Sequence, residues 1–149
     1  MAAPCPELLE ALRRVRWRRH RVVYAVLFGS GARSCNYRDV DIAVLFEQPP
    51  SLDELLGLAS EVADATNLSD DRIDIVVLNW EQPCTLILEA LGKGTPVYYE
   101  SLEAYLDDAL RRLWVCWDFE ISYRKLGLLE AALEAVKKRW GSYGASSKP

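Results

Sequence analysis

Polar and apolar positions along the chain alternate with two different periods, and each period predicts its own kind of element. In PELLEALRRVRWRR (6–19), Leu8, Leu9, Leu12 and Val15 share one helical face, while Arg13, Arg14 and Arg18 lie opposite. With Pro6 at its opening, this stretch predicts a helix from Pro6 to about Arg19. VVYAVLF (22–28) is a continuous β-favouring run of the kind expected in a strand buried on both faces, and VDIAVLF (40–46) and RIDIVVLN (72–79) predict two more strands. Ser51, with Glu54 three residues on, begins the helix SLDELLGLASEVADAT through a capping box. Pro83 precedes a helical TLILEALGKG that its glycines end, and PVYYES (96–101) predicts a short fourth strand. From Ser101 to about Trp140 the pattern is helical, with a division into two pieces expected near Lys125–Gly127, and the tail 142–149 is expected to be disordered.

This order predicts an α/β (α+β) domain: a mixed sheet of about four strands, flanking helices and a long C-terminal helical segment. At 149 residues the chain is expected to be a single domain over 1–141, with its core at about 20–100 and its helical segment at about 101–140. A net charge of -4 argues against nucleic acid as the partner, and no apolar run approaches the roughly 18 residues of a membrane span. The N-terminus lacks the apolar region of a secretory signal, so a cytoplasmic protein is expected. Cys5, Cys35, Cys84 and Cys116 are scattered and His20 is the only histidine, so a thiolate or imidazole metal site is not expected. Free thiols in a reducing compartment are the plain expectation, with a structural disulfide as the alternative.

The unusual chemistry lies in FGSGARSCNYRDVDIAVLF (28–46). Asp39 and Asp41 project together if their segment is extended, and Asp74 is one more carboxylate inside an apolar run. Like charges that close repel one another, and burying one without a partner is costly. If the third strand lies beside the second, all three carboxylates can converge, and hard oxygen ligands so arranged suit Mg²⁺ or Mn²⁺. Gly29 permits close backbone approach, and Ser30 offers a hydroxyl and N–H groups to a phosphate. A phosphate turn beside a carboxylate triad supplies what metal-assisted phosphoryl chemistry needs.

These residues, FGSGAR…DVDIAV…IDIVVL, resemble the minimal nucleotidyltransferases of the DNA-polymerase-β-like nucleotidyltransferase superfamily over roughly residues 20–100. LILEALGKGTPVYYES and the helix carrying WDFEISYRKL are similar to the MntA-type antitoxins that pair with HEPN toxins. The resemblance implies AMP transfer from ATP, with Asp39 and Asp41 holding the metals and Asp74 completing the site and activating the attacking hydroxyl. It implies that Gly29 and Ser30 meet the triphosphate. Arg33 matches an Arg of the family pattern, as a phosphate contact or as one half of a buried pair. The chain departs from the pattern in a loop between Ser30 and Asp39 about two residues shorter than in most relatives, and in Arg38, where a Ser commonly stands. The implied acceptor is a tyrosine of a cognate toxin. That toxin would be a separate chain, because the toxins' Arg-x4–6-His-x-Tyr motif is absent around His20.

Other features bear on partners. Arg13, Arg14, Arg16, Arg18, Arg19 and Arg21 form a dense basic run that reads as a solvated face or a dock for an acidic partner or a nucleic-acid backbone, and His20 reads as a surface residue. Trp114, Trp117, Phe119 and Tyr123 spread too widely for one core stripe, which leaves core packing and an exposed surface for a partner helix or a second copy both open. The rival to the enzyme is a non-catalytic antitoxin that neutralises its partner by direct contact. Transfer to an antibiotic or to tRNA fits less well, since no room remains for a substrate domain.

Overall fold

The computed structural model describes residues 3–144, and the side chains of all of these except 119–126 and 140–144. Four strands, β1 (Val22–Phe28), β2 (Val40–Phe46), β3 (Ile73–Val77) and β4 (Thr95–Tyr99), form one sheet in the order β3-β2-β1-β4. β1 pairs antiparallel with β2 and with β4, whereas β2 and β3 run parallel, so the sheet is mixed as expected. A parallel pair needs a crossover, and helix α2 (Leu52–Thr66) supplies it. The other helices are α1 (Pro6–Arg13), α3 (Cys84–Lys93) and α4 (Leu102–Gly144). None of the described helices is long and apolar enough to cross a membrane.

Two compact units divide the chain, Met1–Trp114 and Val115–Pro149. The first holds the sheet. Alternate residues of its strands, such as Ala25 and Leu27 of β1 and Ile42 and Val44 of β2, join Leu8, Leu12, Leu58 and Val62 of α1 and α2 in the main core. In the same unit the Tyr24 hydroxyl donates to Asp108 Oδ2 at 2.6 Å, and Asp108 also accepts from Arg112 Nε at 2.7 Å. Burial, and then the Asp108 carboxylate, hold the Tyr24 phenol far above its usual range, so it stays a donor. The second unit is the remainder of α4, which carries through Lys125–Gly127 without the expected break. The tail expected to be disordered is helical as far as Gly144, and its remainder lies outside the described residues.

The first helix ends six residues earlier than its sequence predicts. α1 stops at Arg13, and Trp17–His20 is a separate 3-10 turn. Trp17 makes the difference: its indole Nε1 donates to the Leu12 carbonyl at 2.8 Å, capping the helix end, while its ring is only 2% exposed. The Arg16 backbone N–H turns to Glu61 Oε2 at 2.6 Å, where a continued helix would spend it internally. The six arginines of this run are exposed, as a solvated face requires. His20 is not a free surface residue, because its Nε2 lies 3.0 Å from Glu61 Oε1.

Partial burial alone would raise the Glu61 pKa, yet the Arg16 N–H, His20 and the Arg16 guanidinium bring it down to about 2, from 4.5. A depressed carboxylate stabilises the fold above its unfolded pKa, and that stability is lost as pH falls through the folded value. Glu61→Gln is therefore expected to cost about 1–2 kcal/mol at neutral pH. The gap between wild type and variant should close between pH 4.5 and about 2, which chemical denaturation at stepped pH would read.

The α2 capping box forms as predicted, with Glu54 N–H donating to Ser51 Oγ at 3.2 Å and Ser51 N–H to Glu54 Oε1 at 3.3 Å. β3 ends at Val77 instead of 79 because the Asn79 side chain takes over the ladder, donating to Phe46 O at 2.8 Å and accepting from Phe46 N at 2.9 Å. The expectation of free thiols is overturned: Cys5 and Cys35 form a disulfide, and no described cysteine is free. Sulfur reach depends on how the chain brings distant segments together, which spacing alone does not show.

Candidate active site

β1 runs out at Phe28, whose partner across the antiparallel ladder is Asp41 of β2. The next residue, Gly29, has φ 76° and ψ -155°, a conformation that L side chains rarely adopt. A Cβ at this position would run into Asp41 Oδ2. Glycine therefore lets the backbone turn tightly over the carboxylate, forming a cradle that any side chain would fill. Ser30–Ala32 follows as one 3-10 turn, closed by Ala32 N–H to Gly29 O at 3.2 Å and by Arg33 and Ser34 N–H to Ser30 O at 3.0 and 3.1 Å.

On the other side of β2, Asp41 and Asp74 are register partners in the parallel pair. Directly paired residues of neighbouring strands share a face, so these two carboxylates stand side by side. Asp39 lies just outside β2, which begins at Val40, so its nearness is set by the entering loop and not by strand alternation. Asp39 and Asp74 are exposed and Asp41 is half-buried. Desolvation, then repulsion from Asp74 and from Asp39, raise the Asp41 pKa. Asp41 is thus crowded by both other acids, a repulsion that a cation would relieve.

A cation fits by the chemistry of the donors: oxygen ligands only, mutually repelling, beside a turn shaped by a glycine. Among the described residues, the three do not bring one oxygen each within 4.8 Å of the others. Mg²⁺ retains waters in its shell and does not require a closed all-protein cage, so this spacing remains compatible with it. Cys5, Glu7 and Cys35 do meet that distance, but both sulfurs are spent in the disulfide.

Arg33 is not in a buried pair. Its side chain is 56% exposed, and its Nη1 lies 3.2 Å from Glu89 Oε1 of α3. Glu89 was not foreseen from the sequence, where an acid within a helix carries no sign of its partner. Trp114 is 73% exposed and Trp117 is exposed too, while the Phe119 and Tyr123 side chains lie outside the described residues.

Residues 10–103 match the family described as Polymerase beta, Nucleotidyltransferase. The chain belongs to this family. No curated protein matches this nucleotidyltransferase-family chain significantly. Among solved structures, it resembles a chain of the tri-AMPylated Shewanella oneidensis HEPN toxin in complex with MNT antitoxin, at 19% identity and TM-score 0.55 over 87% of this chain and 98% of the other. It also resembles a chain of a toxin–antitoxin complex with AMP-PNP, at 18% identity and TM-score 0.57 over 87% and 99%. A structure from Shewanella oneidensis aligns at 15% identity and TM-score 0.58 over 86% and 99%. At such identities the likeness is one of fold, and the fold is the polymerase-β-like nucleotidyltransferase fold predicted from the sequence.

Proposed function

We propose that this nucleotidyltransferase moves AMP from ATP onto a tyrosine of a separate HEPN-type toxin chain, with Mg²⁺ (or Mn²⁺) as cofactor, and so acts as an antitoxin. The observation that carries the reading is the side-by-side register of Asp41 and Asp74, with Asp39 adding its charge to theirs. The solved complexes named above, one with an AMPylated toxin and one with a nucleotide analogue, support it.

In this mechanism the tyrosine oxygen bonds to the α-phosphorus of ATP, the bond from that phosphorus to the bridging oxygen breaks, and pyrophosphate leaves. Asp39, Asp41 and Asp74 would hold the metal, which when bound neutralises charge on the phosphates. Asp74, the exposed member of the register pair, takes the proton from the attacking hydroxyl. The backbone at Gly29 and the Ser30 hydroxyl orient the triphosphate, which supplies positioning, the main currency of phosphoryl transfer. Arg33 pairs with Glu89 through Nη1 alone, which leaves its other N–H groups for a phosphate.

A second reading, neutralisation by direct contact, draws on the apolar side chains Leu102, Leu106, Leu110 and Trp114, which are exposed along one side of α4. Mass spectrometry of the partner toxin separates the two. After incubation with ATP and Mg²⁺, modification predicts added AMP units and a toxin that stays inactive once this chain is removed. An unmodified toxin that regains full activity on dissociation would establish the binding module instead.

A further inference from the structure

The N-terminal segment is fastened to the phosphate turn at three points. Ala3 N–H donates to Arg33 O at 3.2 Å, Cys5 N–H to Gly31 O at 3.4 Å, and Cys5 is joined to Cys35 through the disulfide. Gly31 lies so close to α1 that an added Cβ would meet Leu8 Cδ2 at 2.8 Å. The fastened stretch begins one residue after Ser30 and ends four residues before Asp39. It therefore covers the first five of the eight residues that link the two halves of the candidate site.

We propose that the Cys5–Cys35 disulfide is a positioning element of the nucleotide site: oxidised, it holds the turn at Ser30 and the entry to Asp39 in register, and reduced, it releases them. The proposal rests on the nucleotidyltransferase reading above. The anchoring is uneven. Ala32 belongs to the core and Tyr37 packs against it, whereas residues 33–36 between them are exposed. Across that exposed stretch the disulfide is the covalent tie to the body of the protein.

The chemistry suits exchange with a dithiol reductant. Cys35 is exposed and Cys5 is buried, so an incoming thiolate reaches Cys35 Sγ first. Attack there forms a mixed disulfide and breaks the Sγ–Sγ bond, and Cys5 sulfur leaves as a thiolate that takes up a proton. Cys5 is the N-cap residue of α1, so the helix N-terminus favours negative charge on the departing sulfur, while the Glu7 carboxylate 3.1 Å away opposes it and favours prompt protonation. The second thiol of the reductant then displaces Cys35, which is protonated in turn. Two electrons and two protons have moved, and the dithiol has become a disulfide. Glu7 Oε2, 3.1 Å from Cys5 Sγ and 3.5 Å from Cys35 Sγ, can accept a hydrogen bond from either thiol so formed.

The test uses the full chain, oxidised wild type against Cys5→Ser/Cys35→Ser, which leaves every other cysteine untouched. Hydrogen exchange and ATP-dependent transfer are both measured. The proposal expects amides of residues 31–39 to exchange about tenfold faster or more in the variant while β1 and β2 stay protected. It expects KM for ATP to rise several-fold with a smaller change in kcat, a split that a plain structural staple would not produce. Uniformly faster exchange across the sheet, unchanged exchange in 31–39, or unchanged KM in an active protein would each overturn it. If the oxidised wild type transfers nothing, the catalytic reading falls by itself. Exchange then decides: a change confined to 31–39 supports the clamp, and any other pattern removes it.

Discussion

Asp39→Asn/Asp41→Asn is expected to lower AMP transfer about 1,000-fold or more and to leave the melting temperature unchanged or raised. Both halves follow from the same crowding. Asp41 carries its charge against desolvation and against Asp74 and Asp39, so its pKa is raised. A folded-state carboxyl with a raised pKa takes up its proton before the unfolded chain does, and its charged form weakens the fold at neutral pH. Removing two of the three charges relieves that repulsion. The wild type should therefore gain stability relative to the variant as pH falls through the raised value of Asp41 towards the ordinary carboxyl value of 3.8. Added Mg²⁺ should raise the wild-type melting temperature and leave the variant unmoved, because ligand binding stabilises only the form that holds it. Melting curves with and without Mg²⁺, beside radiolabel transfer from ATP, read all of this. A variant that still transfers label would remove the acids from catalysis.

Gly29→Ala is the second large effect, expected to lose about 100-fold in transfer and about 1–3 kcal/mol in stability. Its backbone stands at φ 76°, and the new methyl would press on Asp41 Oδ2. The damage thus falls on the turn and on the carboxylate beneath it together. Gly57→Ala is the matched control. Gly57 lies inside α2 with nothing within 4 Å of an added Cβ, so the change should stabilise the helix by about 0.5–1 kcal/mol and leave transfer unaltered. Thermal melts and transfer rates of the two variants would move in opposite directions on stability, and only one would move on rate.

Local chemistry explains which parts of this fold are legible in the sequence. β1 and β2 appear at the predicted residues, because continuous β-branched and aromatic runs bounded by Gly and Pro have no competing structure. The Ser51–Glu54 box acts within four residues and forms as predicted. The pairing of Asp41 with Asp74 was legible only on the condition that β3 lies beside β2, and the structure meets that condition. What stayed hidden depends on tertiary partners. The arginine-rich end of α1 has the periodicity of a helix, yet the indole of Trp17 folds back onto Leu12 and ends it. The Arg33–Glu89 pair and the Cys5–Cys35 bond join segments that only the packed sheet brings together. Asp39 joins Asp41 on one face only if its segment is extended. The strand starts one residue later, and electrostatic coupling is what still ties the two acids.

The crossover through α2 also sets an order of assembly. β1 and β2 are joined by residues 29–39 and can pair before β3 exists, whereas the parallel addition of β3 waits for the whole of α2 to be made and packed. A chain emerging from the ribosome thus completes the turn at Ser30 and the acids Asp39 and Asp41 before Asp74 exists. On the proposed mechanism such a nascent chain has the groups that orient ATP and lacks the one that receives the proton. Transfer becomes possible when the β2–β3 pairing closes, and the onset of activity during translation becomes a clock for that pairing and not for β4, which joins the opposite edge of the sheet later.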